Sequence, residues 1–100
     1  MSRENALKSA QSYLEVGSFS RAGLIDQLSS SAGEGFPKAD AAWAVSHLRV
    51  DWNAQAVKAG KGYLDTGSFS RAGLIDQLSS SSGDQFTKAQ AIYAVNHLGL

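Results

Sequence analysis

The segment Gly17-Ser18-Phe19-Ser20-Arg21-Ala22-Gly23-Leu24-Ile25-Asp26-Gln27-Leu28-Ser29-Ser30-Ser31 recurs without a change as Gly67 through Ser81. Working outward from it, residues 5–50 align on 55–100 without gaps and share 28 of 46 positions. The shared positions outside the block include Tyr13/Tyr63, Leu14/Leu64, Phe36/Phe86, Lys38/Lys88, Ala44/Ala94, Val45/Val95, His47/His97 and Leu48/Leu98. The chain is therefore one unit written twice, and the fold question reduces to that unit.

Each unit reads as three short helices. Ala6, Leu7, Ala10, Tyr13 and Leu14 recur at steps of three and four, the stripe of an amphipathic helix that Gly17 ends. The second helix starts at Ser18 or Ser20, either able to cap free N–H groups, and presents Leu24, Ile25 and Leu28 with Phe19 just ahead as a staple. It gives way to the loop composition Ser29-Ser30-Ser31-Ala32-Gly33. The third helix begins near Pro37, where proline suits a first turn, and its inward face is Ala41, Ala44, Val45 and Leu48. In the second copy Thr87-Lys88-Ala89-Gln90 has the spacing of a capping box. Period-two runs are absent, so the expected class is all-α: a tandem pair of small three-helix, helix-turn-helix-like repeats, residues 1–50 and 51–100. A unit of this size is marginal alone, which predicts an interface between the copies, with Trp52 as a staple at the junction or, alternatively, a binding residue.

Composition narrows the function. Of 100 residues, nine are Lys or Arg and nine Asp or Glu, and the balance holds in each half. Duplex binding rests on cations against phosphates, so nucleic acid is not the expected partner, and neither is an anionic membrane surface. The link from Ser29 to Phe36 is also longer than the three- to four-residue turn of DNA-binding helix pairs. No apolar run approaches the ~20 residues of a membrane span. There is no cysteine, hence no disulfide, thiolate metal site or thiol nucleophile. The two histidines, His47 and His97, are repeat equivalents with no base–nucleophile constellation around them, so no catalytic residue, metal or cofactor is expected.

The candidate site residues are those the duplication repeats. Trp43 and His47, and likewise Tyr93 and His97, stand four apart, ring beside ring on one helix face. They are either an aromatic–imidazole pair half-buried on the flank of the third helix or two equivalent anchors for a partner protein. Arg21 and Arg71 occupy the first turn of the second helix, where the helix dipole disfavours a cation. A carboxylate from elsewhere would compensate each, or a partner contact would. Gly23 and Gly73 inside that helix predict a close helix–helix approach.

Four stretches carry a resemblance: N-A-L-K-S-A-Q-S-Y-L at 5–14, G-S-F-S-R-A-G-L-I-D-Q-L at 17–28, G-F-P-K-A-D-A-A-W-A-V-S-H-L at 35–48 and V-D-W-N-A-Q-A at 50–56. Together they resemble the repeat of the Ltp family, the host cell surface-exposed lipoproteins of Gram-positive bacteria and their phages. The resemblance covers nearly the whole chain, twice. It implies a lipid-anchored leader followed by helical repeats, displayed on the extracellular face of a bacterial membrane when a lipobox leader precedes this segment. It implies superinfection exclusion in the phage-encoded members: incoming phage DNA is kept out through contact with the injecting phage's tape-measure protein. A host cell-envelope structural or binding module is the alternative, and a DNA-binding regulator the third reading.

Overall fold

The computed structural model describes residues 2–100, and among them there are six helices and no strand: α1 (Ser2–Val16), α2 (Arg21–Ser29), α3 (Lys38–Ser46), α4 (Trp52–Thr66), α5 (Arg71–Ser79) and α6 (Lys88–His97). The chain is elongated, 44 × 24 × 22 Å, with the three-helix units following one another along it.

Local chemistry sets the helix ends. Ser20 and Ser70 are the N-caps of α2 and α5, each hydroxyl accepting from the amide three residues on, at 2.9 and 3.0 Å. Asp51 caps α4 through the Ala54 amide (3.1 Å). Thr87 and Gln90 form the capping box in full, each side chain bonded to the other's backbone amide (2.9 and 3.1 Å). Pro37 stands one place earlier than expected, as the N-cap of α3 with no side-chain bond, so α3 starts on backbone geometry alone. Thr87→Ala should therefore cost about 1 kcal/mol, a typical loss for a capping hydroxyl. Chemical denaturation of the two proteins would check it, and equal midpoints would show the box to be idle.

The loops between the second and third helices are duplicates. The Ser30 carbonyl accepts from the Gly33 and Gly35 amides (3.1 and 3.0 Å), and the Phe36 amide returns to the Leu28 carbonyl (2.8 Å); Ser80, Gly83, Gln85, Phe86 and Leu78 repeat the pattern. This path brings Gly33 so close to the Gln27 carbonyl, and Gly83 to that of Gln77, that a Cβ would overlap it. Two places on, Gly35 (φ 69°) and Gln85 (φ 64°) share a left-handed conformation that glycine adopts freely and glutamine rarely.

Each unit closes on its own core. In the first, α1 and α2 pack on α3 around Ala10, Leu24, Ile25, Leu28, Ala41 and Val45. In the second, α4 and α5 pack on α6 around Ala56, Leu74, Leu78, Phe86, Ala91 and Val95. Alanines at the helix contacts let the backbones approach. At Gly60 a Cβ would lie 2.8 Å from a Leu98 methyl, whereas its counterpart Ala10 is fully buried with its methyl in place. Trp52, the first residue of α4, lays its ring on the first unit's core and so ties the repeats across the junction.

Candidate functional site

The duplicated ring pairs lie on the outer side of α3 and α6. His47 follows the last residue of α3, and its Nδ1 meets the Trp43 carbonyl at 2.8 Å. That contact lays the imidazole on the indole, with centroids 4.1 Å apart and planes 26° from parallel. Arg3, at the start of α1, places its guanidinium 4.9 Å from the Trp43 ring centroid. The indole is thus held between a cation and an imidazole, and it is half-buried. In the second unit Tyr93 and His97 are nearly parallel (18°) but 6.0 Å apart, and Tyr93 is 46% exposed. Asn53 stands where Arg3 stands in the first unit, so the same cation does not cover Tyr93. The two pairs form in both repeats but differ in setting: a cation and an imidazole flank Trp43, while Tyr93 is open.

Among the described residues, neither Arg21 nor Arg71 is paired with an Asp or Glu side chain. Arg21 donates to Ser46 Oγ (3.0 Å) and Arg71 to the Leu100 carbonyl (2.6 Å). Each arginine reaches from the first turn of the second helix to the end of the third. There a cation is favoured by the carbonyl end of that helix, which offsets the unfavourable dipole at its own. The arginines are struts across each unit, with exposed guanidinium faces beside the helix ends that carry His47 and His97.

A polar cleft between the units was not foreseen. Ser20, 2% exposed, donates its hydroxyl to the Asp84 carbonyl of the other unit. The Phe19 amide donates to Gln55 Oε1 (3.0 Å), Gln85 to an Asp26 carboxylate oxygen (3.0 Å), and Lys58 to the Gly17 carbonyl (3.5 Å). This also corrects the reading of Gly23. A Cβ there would meet Ser20 Oγ at 2.9 Å and the Asp84 carbonyl at 3.4 Å, so the crowding comes from the cap and the neighbouring unit, not from a helix pair. No single-residue signal marks Asp84, which reads as an ordinary loop residue.

Asp84 is bound by the Tyr63 hydroxyl (2.9 Å), which in turn accepts from Gln77 (3.1 Å). Partial burial raises the Asp84 carboxyl above its ordinary value, with the Tyr63 hydrogen bond opposing. Burial, then the hydrogen bond and charge of Asp84, raise the Tyr63 phenol. A carboxyl raised on folding binds its proton more tightly in the native state. Its stabilising contribution is complete below the unfolded value and is lost as pH rises through the native one. Asp84→Asn should remove that dependence. The stability of the parent relative to the variant should grow as pH falls through the window just above 3.8. Melts across pH would check this, and a difference that stays flat would contradict it.

No helix among the described residues is long and apolar enough to cross a membrane. A comparison with curated proteins gave no match. A solved structure, that of Ltp, a superinfection exclusion protein from the Streptococcus thermophilus temperate phage TP-J34, is similar with a TM-score of 0.83 and 32% sequence identity, over 96% of this chain and 94% of that one. The family model described as host cell surface-exposed lipoprotein matches at residues 2–48 and again at 51–98. Both repeats are thus matched almost end to end, and the chain belongs to the Ltp family of host cell surface-exposed lipoproteins.

Proposed function

We propose that this chain is the non-catalytic, partner-binding part of a superinfection-exclusion lipoprotein, displayed outside the membrane and keeping phage DNA out by holding the tape-measure protein of the injecting phage. The observation that carries the reading is the likeness, over 96% of this chain, to a protein described as a superinfection exclusion protein. The chemistry of the surface supports it. His47 is turned onto its own helix's Trp43 carbonyl instead of toward a nucleophile, and the net charge is zero. Residues 1–50 and 51–100 are the two domains of this reading, each supplying one patch: Trp43, His47 and Arg21 from the first, Tyr93, His97 and Arg71 from the second. Two weak patches on one body hold an elongated partner with an avidity neither has alone.

The test displays this segment behind a lipoprotein leader on a phage-sensitive Gram-positive host, with the TP-J34 protein as positive control. Phages that the control excludes should adsorb normally, fail to deliver DNA and plaque at sharply reduced efficiency. Parental plaquing by all of them, with surface display verified, would overturn the reading.

A further inference from the structure

Two unlike surfaces make the contact between the repeats, and each has an unpaired twin. The first unit contributes the corner between α1 and α2, with Gly17, Phe19, Ser20 and Asp26 as the bonded residues. The second contributes a face built from α4 and the loop before α6, with Gln55, Lys58, Asp84 and Gln85 as their partners. Ser18 lines one side of a groove whose other walls on that face are Ala59, Gly62, Tyr63, Thr66 and Asp84. Corner meets face, so the contact is heterologous.

The corner exists again in the second unit. Residues 67–81 are identical to 17–31, and the capping serines share a conformation (φ −79°, ψ 163° at Ser20; φ −72°, ψ 162° at Ser70). There Ser68 and Ser70 are exposed, whereas Ser20 is buried.

The face exists again in the first unit. Ser9, Ser12, Tyr13, Val16 and Glu34 line an open groove, at the same five positions 50 residues earlier. Lys8 also lines it, in place of Lys58, and Asn5 replaces Gln55 with a shorter amide. Tyr13 bonds Glu34 at 2.9 Å as Tyr63 bonds Asp84. The loop hydrogen bonds of 33–36 repeat those of 83–86, and the left-handed residue follows in both. The Glu34 carbonyl is therefore presented as the Asp84 carbonyl is. Val16, in this groove, is 85% exposed. A Cβ at Gly62 would meet nothing within 4 Å, so the corresponding Cβ of Ser12 fits the same contact.

We infer that the open face of the first repeat binds the free corner of the second repeat of another copy of this chain. Copies then add head to tail, through the contact that already joins the repeats within one chain. Such a contact does not close into a two-fold dimer; it extends. It is weak, because it lacks the tether that makes the internal contact unimolecular. It also lacks the bond from Gln85 to Asp26, because Gly35 stands in the place of Gln85. Its place is therefore where copies are concentrated.

The absence of cysteine allows a direct test. Ser12→Cys and Ser68→Cys, both at exposed positions, are made in separate proteins, checked for parental helicity, mixed at high concentration and mildly oxidised. The mixed dimer should exceed either homodimer severalfold, and exceed the yield of Ser12→Cys with Asn96→Cys, on α6 outside both surfaces. One chain carrying both Ser12→Cys and Ser68→Cys should give a ladder, and Lys8→Glu should lower its yield. A mixed dimer no more abundant than the Asn96→Cys control would overturn the proposal, as would a dominant Ser12→Cys homodimer.

Discussion

Leu78→Ala is expected to lower stability by about 2–5 kcal/mol, and Leu28→Ala by an amount in the same range, as for buried leucines generally. Both side chains are fully buried, each the last apolar anchor of its helix. The larger loss is expected at Leu78. It packs toward the bare backbone of Gly60, where a Cβ would lie 3.7 Å from a Leu78 methyl, while the corresponding position in the first unit carries a methyl of its own, Ala10. With no side chain at Gly60 to lean into the void, the cavity left by Leu78→Ala closes less. For a chain of this length each kcal/mol is worth about 4–8 °C, so the melting point should fall by roughly 10 °C or more. Each leucine belongs to its own unit's core, and Trp52 of α4 rests on the first, so the loss in either unit is felt by the chain as a whole. Circular dichroism melts check both statements, and near-parental melting of either variant would show its helix face to be wrongly assigned.

The double change Trp43→Ala with Tyr93→Ala is expected to abolish most partner binding, with each single change causing a partial loss. Aromatic anchors at interface centres cost about 2 kcal/mol or more when truncated, roughly a thirtyfold loss of affinity. When two patches act through one rigid body, removing both also removes the avidity, so the double loss exceeds either single one by far. The singles should differ. Trp43 is preordered between Arg3 and His47, and its removal frees both neighbours. Tyr93 is open, and its removal disturbs little besides the surface it offers. Folding of each variant is verified first by its melt. If the folded double variant excludes phage as well as the parent does, the ring pairs are structural. Asp26, Asp40, Asp76 and Asp84 are then the next surface to change.

Most of the helical plan is legible in the chain because it rests on local rules. A stripe at three- and four-residue spacing places α1, serine caps place α2 and α5, and the Thr87–Gln90 spacing is realised as a capping box. The duplication exposes the same helix start twice, as Pro37 ahead of α3 and Thr87 ahead of α6, by different chemistry. What escaped is what two distant segments decide together. The helix dipole says that Arg21 needs a partner but not that the partner is the far end of α3. Gly23 signals crowding without saying that a capping hydroxyl and a carbonyl from the other repeat supply it. Nor does the pairing of Ser20 with Asp84 have a local signature, because the identical Ser70 makes no such contact. The ring pairs were legible as pairs, through i, i+4 spacing; their inequality depends on Arg3, which belongs to another helix.

The most direct measurement is calorimetric titration of this chain with the tape-measure protein of a phage that the displayed segment excludes. The account predicts saturable binding that weakens in Trp43→Ala and in Tyr93→Ala and nearly vanishes in the folded double variant. Absence of binding by the folded parent, across the concentrations at which both proteins stay soluble, would contradict it.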